Sequence, residues 1–153
     1  MKVLGIMGSP RIKGNTDLLL DAAFEGAESQ GAETEKIVVD RLKIAPCREY
    51  YGCLKDGNCV IQDDMTGIYP RLLASDIVIV ASPIFFYNLS AQVKALIDRC
   101  QALWARKYIL KLDPPNSARK GAFIGVAATQ GKQLFDGAKL TVKYLFTSIG
   151  VKY

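Results

Sequence analysis

The chain has 153 residues, 50% hydrophobic and 23% charged, which suits one domain (residues 1–153) with a sizeable core and no disordered tract. Histidine is absent, so Ser-His and Cys-His nucleophiles and the common histidine metal centres are excluded, and difficult chemistry is left to a cofactor. The net charge of +5 comes from dispersed lysines and arginines, a pattern that fits solvated faces or an anionic small molecule better than nucleic acid.

In chain order, Lys2–Met7 reads as a first strand, too short and too soon broken by Gly-Ser-Pro to be a secretory signal. A helix is expected from about Thr16 to Gln30, with Leu19, Ala22, Ala23 and Ala27 on one face, Asn15 as its cap and Gly31 as its stop. Thr34–Val39 is a second strand. Asp76–Ala81 is a third, apolar at successive positions as a strand covered on both faces should be. From Asn88 onward Leu89, Val93, Leu96, Ile97, Cys100, Leu103 and Trp104 recur at helical spacing. Asp113–Ser117 forms a loop and Gly121–Ala128 a fourth strand. Phe135, Ala138, Val142, Leu145, Phe146 and Ile149 mark a last helix, and Val151–Tyr153 opens a fifth strand.

This alternation implies a parallel α/β sheet with right-handed crossovers, in which ligands bind beyond the carboxyl ends of the strands. Three loops fall at that edge: Gly8–Thr16, Ser82–Ser90 and Ala128–Lys132. The first matches neither a Walker loop, since five residues separate its glycines and Asn15 stands where lysine belongs, nor the Gly-x-Gly-x-x-Gly fingerprint. Its hydroxyls at Ser9 and Thr16, the Asn15 amide and nearby Arg11 and Lys13 suit a terminal phosphate monoester; the competing reading is an ordinary capped turn. In the second loop Pro83 and the run Phe85-Phe86-Tyr87 suit a flat amphipathic ring, against the alternative of a small satellite core. Thr129-Gln130-Gly131 would close the remaining side.

Gly8-Ser9-Pro10-Arg11-x-x-Gly14-Asn15-Thr16, Asp63-Asp64-Met65, Ser82-Pro83-Ile84-Phe85-Phe86 and Ser90-Ala91-Gln92-x-Lys94-Ala95-x-Ile97-Asp98-Arg99 together resemble the NADPH-dependent FMN reductase family, and within it the iron-sulfur flavoprotein-like branch. The resemblance runs from Lys2 to the last residue. It implies a flavodoxin-like, doubly wound parallel sheet of five strands in the order 2-1-3-4-5, with helices on both faces. It also implies FMN bound by Ser9, Pro10, Arg11, Asn15 and Thr16 at the phosphate. Ser82, Pro83, Ile84, Phe85, Phe86, Asn88, Thr129 and Gly131 would surround the ring, and loop amides from Ala128 to Gly131 would face its pyrimidine edge. The family normally continues through a complete fifth strand and a closing helix. That helix is missing after Tyr153, which would leave one sheet face partly bare for a partner subunit or an absent tail.

In the iron-sulfur members four closely spaced cysteines ligate a cubane cluster. Here Cys47, Cys53 and Cys59 occupy that stretch, and Tyr50 stands where the second cysteine is expected. The three thiols are metal ligands of an incomplete cluster set, a redox-sensitive or zinc-binding group, or inert; Cys100 belongs to the apolar face of its helix. Asp63-Asp64 would cap the next short helix. Cys100 and Arg106 also match the Cys-x5-Arg spacing of tyrosine phosphatases, but they continue a helix rather than form a phosphate loop. The resulting expectation is a cytoplasmic NAD(P)H-dependent FMN or quinone-type oxidoreductase. It would be a homodimer or homotetramer, with no nucleic-acid or membrane partner. The alternatives are an electron carrier that docks with redox proteins and uses a cluster, and a degenerate fold with an empty site.

Overall fold

In the computed structural model, residues 1–112 and 118–153 are described; the expected loop at Asp113–Ser117 lies outside them. Four parallel strands, β1 (Lys2–Met7), β2 (Glu33–Val38), β3 (Ile77–Pro83) and β4 (Lys120–Val126), lie in the order β2-β1-β3-β4. Parallel neighbours require crossovers, and six α-helices among the described residues connect or follow the strands: α1 (Asn15–Glu28), α2 (Cys53–Asp56), α3 (Met65–Ala74), α4 (Ala91–Arg99), α5 (Gln101–Trp104) and α6 (Asp136–Ser148). The architecture is the expected flavodoxin-like one, but with four strands rather than five. Val151–Tyr153 supplies only a single parallel bridge, Lys120 to Lys152, at the outer edge of β4 where a fifth strand would run.

The sheet has two unequal faces. On one, Leu4, Ile6, Val78 and Val80 pack against Met65, Ile68 and Leu72 of α3, Val93 and Leu96 of α4, and Val142, Leu145 and Phe146 of α6. On the other, Val3, Met7, Ile79 and Ala81 meet α1 through Leu20 and Phe24. Beyond α1 this second face is thinly covered: Ala122 is exposed and Ile124 only half-buried. The inward stripe of α1 is Thr16, Asp17, Leu20 and Phe24, with Ala23 and Ala27 half-buried; Leu19 and Ala22, expected inside, are exposed. The run Leu18-Leu19-Leu20 leaves the helical phase undecided, and Phe24 fixes it through contact with Gly5, where a Cβ would strike its ring.

The expected single helix after Asn88 is broken into α4, α5 and a π-helical turn at Ala105–Ile109. At the amino end of the sheet the buried Arg119 guanidinium donates to the carbonyls of Leu72, Ser75 (2.8 Å) and Ile149 (2.5 Å). One cation thus serves the negative ends of α3 and α6, and leaves the opposite, carboxyl rim to the functional loops.

Candidate functional site

At the carboxyl end of β1 the Gly8 amide donates to Ala81 O (2.7 Å), carrying the strand pairing one residue further. A Cβ at Gly8 would overlap Val93 Cγ2 and crowd Ala81 O, so only glycine lets α4 approach this closely. The chain then folds back on itself. Arg11 N donates to Ser9 Oγ (3.1 Å), Gly14 N to Arg11 O (3.3 Å), and Lys13 N, at φ 59°, to Asp17 Oδ2 (2.8 Å).

Gly14, not Asn15, is the cap residue of α1; it is extended at φ −80°, ψ 171°, and no side chain caps the helix. The amides of Asn15, Thr16 and Asp17 therefore open toward the loop without an intrahelical acceptor. In this segment Ser9 and Thr16 are buried, while Pro10, Arg11 and Asn15 are exposed. Hydroxyls, a cation and a positive helix end in one short segment match the needs of a phosphate.

Asp17 would oppose an anion here, but Lys36 from β2 bonds it (2.6 Å) and also pairs with Asp21. The Lys36 bond holds the Asp17 carboxyl below its ordinary range in spite of burial. Burial in turn works against the Lys36 charge, yet the two carboxylates keep its pKa raised. Sequence reasoning missed this neutralising pair, whose members stand nineteen positions apart.

The second loop leaves β3 with Ile84 N bonded to Val126 O (2.8 Å) and closes on itself through Phe85 N to Asn88 O (2.8 Å) and Asn88 N to Phe85 O (3.0 Å). Its central residues Phe86 and Tyr87 lie in the left-handed region, at φ 47° and 64°, where hairpin turns usually place Asn and Gly. Phe86 is fully exposed, and Phe85 and Tyr87 are about half exposed, so the aromatic run does not form a satellite core.

Ser82 is fully buried and works from inside: its hydroxyl donates to Pro83 O (2.8 Å) and accepts from Ser90 N (3.1 Å). Ser90, the cap of α4, donates its own hydroxyl to Gly8 O (2.7 Å) and so ties the second loop to the first. Ser90 stood in the family resemblance without an assigned role. The Asn88 side chain accepts from Leu89 N (2.8 Å).

In the third loop Thr129 and Gln130 are exposed, and Gly131 lies against the Tyr87 hydroxyl so closely that a Cβ would overlap it. Thus the three loops do meet on one rim, joined by Ser90 between the first and second and by Tyr87 between the second and third.

A cavity of about 930 Å³ lies away from that rim, between the cysteine loop, α4–α5 and α6. Cys47, Cys53 and Cys59, all half-buried free thiols, border it, as do Tyr50, Trp104 and Tyr144. The loop is held at its base by Arg99, whose side chain is buried. One of its terminal nitrogens donates to Ala45 O (2.9 Å) and Asp63 Oδ2 (2.6 Å), the other to Ile61 O (3.0 Å) and Asp63 Oδ1 (3.2 Å). Asp63 also accepts from Ala45 N (2.9 Å) and from Met65 N (3.0 Å) at the start of α3, so it both starts that helix and pairs with Arg99. Burial works to raise the Asp63 carboxyl, but Arg99 and the two amides outweigh it and leave its pKa lowered.

The Cys59 thiol interacts with Arg99 and Tyr69, while Cys53, whose pKa is raised first by burial, interacts with Cys59 and Cys47. Cys100 packs in the core, and burial pushes its thiol up to about 12. Arg106 belongs to the π-helical turn, so the Cys100–Arg106 pair forms no phosphate loop. The donor set does not fit a cubane cluster. Complete ligation by thiolate takes four cysteines and three are offered, and among the described residues no group of three thiols or carboxylates converges on a point that could hold a metal ion.

Among the described residues no helix is long and apolar enough to cross a membrane. The model of the family described as NADPH-dependent FMN reductase matches residues 1–140. An iron-sulfur flavoprotein of Methanosarcina thermophila is 40% identical over 111 residues, 72% of this chain and 58% of that protein. An iron-sulfur flavoprotein of Archaeoglobus fulgidus is 34% identical over 145 residues, 95% of this chain and 69% of that one. The chain thus spans about half to two thirds of the length of these curated relatives. Among solved structures, an NAD(P)H:quinone oxidoreductase from Methanothermobacter marburgensis superposes with a TM-score of 0.70 at 18% identity, over 99% of this chain and 78% of that one, a likeness of fold. The match over residues 1–140, on the same loops that build the rim, makes this chain a member of the NADPH-dependent FMN reductase family.

Proposed function

We propose that the chain is an FMN-dependent oxidoreductase that takes electrons from NADPH or NADH and passes them to a small-molecule acceptor of the quinone, nitro, azo or flavin type. The carrying observation is the convergence of an uncapped helix end with a strained aromatic turn on one rim. When bound, FMN supplies the redox chemistry, consistent with a chain that has no histidine. The chain's own work is to hold and orient. Ser9, Thr16 and the first amides of α1 take the phosphate, with Arg11 and Asn15 closing over it. Pro83 to Phe86 and Asn88 border the ring on one side, and Thr129 to Gly131 on the other. Backbone donors in the third loop would face the ring's polar edge, where they would favour negative charge. Cytoplasmic location and assembly into dimers or tetramers belong to the same reading, and the thinly covered face beside α1 is a surface such assembly would bury.

Replacing Asn15 and Thr16 together by alanine tests the phosphate site. Hydrogen bonds to a charged group are worth about 1.5–3 kcal/mol each, so FMN affinity should fall roughly tenfold or more. Riboflavin, which lacks the phosphate, should bind both proteins equally. Unchanged FMN affinity overturns the assignment. Steady-state NAD(P)H oxidation by the flavin-loaded chain tests the activity: turnover supports a reductase, and photoreduction without turnover supports an electron carrier instead.

A further inference from the structure

The relatives quoted above are called iron-sulfur flavoproteins, and the cysteine loop is where this chain would have to justify that description. Positions 47, 50 and 53 stand three residues apart, with Cys59 following, which is a spacing suited to four ligands around one centre. Tyr50 occupies the second place. Its side chain is exposed, borders the same cavity as the three thiols, and approaches an Arg48 terminal nitrogen with its hydroxyl (3.5 Å). Among the described residues, neither Cys100 nor Asp63 is free to make good the loss. Cys100 is held in the core at the α4–α5 junction with 2% of its surface exposed, and Asp63 is engaged by Arg99, Ala45 N and Met65 N.

Arg99 takes hold of the cysteine loop just before Cys47, at Ala45 O, and just after Cys59, at Ile61 O, so both ends are fixed to one side chain of α4. Its Nε is buried with no hydrogen-bond partner, and Cys59 is among the groups that interact with this guanidinium.

We propose that the cysteine loop of this chain is a cluster-free three-thiol site, closed at its base by the Arg99–Asp63 clamp, and that Tyr50 is the gap in its ligand set. The iron-sulfur half of the relatives' name then does not extend to this protein, whatever the outcome at the flavin rim. The inference does not rest on flavin binding, and flavin content measured in parallel keeps the two separate.

The test is anaerobic incubation of the full chain with ferrous iron and sulfide, followed by iron analysis, visible spectroscopy and titration of the thiols with an aromatic disulfide. The unaltered chain should retain no stoichiometric iron and should keep all three loop thiols reactive. Tyr50→Cys should take up about four irons per chain and lose that thiol reactivity. The double variant Y50C/C100A should behave like Y50C, which shows that Cys100 is not a ligand. Stoichiometric iron in the unaltered chain overturns the proposal, whether held by three thiolates or with Cys100 as a fourth. A folded Y50C that stays free of iron, with unchanged circular dichroism, overturns the assignment of Tyr50 as the gap.

Discussion

The three-loop rim and the cysteine loop are both made of irregular chain bordering α4, yet they are stabilised in different ways. At the rim, bonds between near neighbours shape the first two loops: Arg11 to Ser9, Lys13 to Asp17, Phe85 to Asn88. One hydroxyl, on Ser90, then ties the first two loops together. The cysteine loop is closed instead by bonds between distant residues: the buried Arg99–Asp63 pair, 36 positions apart, with Ala45 N to Asp63 and Lys43 N to Asp64 beside it. A site assembled from local turns shares its hold among many bonds, whereas a loop whose two ends are drawn onto one buried cation loses most when that cation goes.

The largest expected effect follows from this dependence. Arg99→Ala leaves Asp63 partly buried without its cation and removes the donors to Ala45 O and Ile61 O at the two ends of the cysteine loop, and removing one member of a buried pair costs about 3–5 kcal/mol. Urea unfolding should report a loss of that order, with faster reaction of Cys47, Cys53 and Cys59 toward an aromatic disulfide. A loss of under about 1 kcal/mol, the range of surface pairs, would show that the loop does not hang on Arg99.

The same pair sets a pH dependence. Asp63 titrates below its ordinary value of 3.8 in the folded chain, so its contribution is complete above about pH 4 and is lost as pH falls through the lowered folded value. Asp63→Asn removes that contribution at every pH. The stability gap between the two proteins should be wide at neutral pH and narrow steadily below about pH 4. A gap that stays constant into acid would mean that the carboxylate charge is not what Arg99 needs.

These two regions also differ in how much of them the sequence reveals. The four strands, the edge at which the loops gather and the residues of the rim follow from alternation and from short motifs whose members are neighbours in the chain. The Arg99–Asp63 pair lies inside two of the family motifs, yet nothing local in the sequence joins its members. A signal was present: Arg99 falls three residues after Leu96 on the buried stripe of α4, and an arginine there requires a carboxylate from elsewhere in the fold. Lys36 and Asp17 were hidden for the same reason. The inward face of α1 was misjudged because three consecutive leucines carry no phase, and the cap shifted by one residue because Gly14 already takes the extended conformation that a cap needs.

A smaller effect probes the joint within the rim. Ser90→Ala removes the α4 cap and leaves the buried Gly8 carbonyl without its donor, a loss of about 1–2 kcal/mol. Because the tie joins the two loops that take different parts of the proposed ligand, FMN affinity should fall together with stability. A variant with lowered stability and full FMN affinity would show that the loops keep their positions without Ser90.

The smallest change has the most informative sign. Phe86 holds a left-handed backbone, costly for a side chain by about 1 kcal/mol, while its ring is fully exposed and contributes no burial in return. Phe86→Gly should therefore stabilise the chain by up to about 1 kcal/mol, an unusual result for deleting an aromatic residue. If the ring is kept for a flat ligand, the same variant should bind FMN several-fold more weakly, with stability and affinity moving in opposite directions. Stabilisation with unaltered affinity would leave the strained turn at the rim without a purpose in flavin binding, and would return the ring's place among the three loops to question.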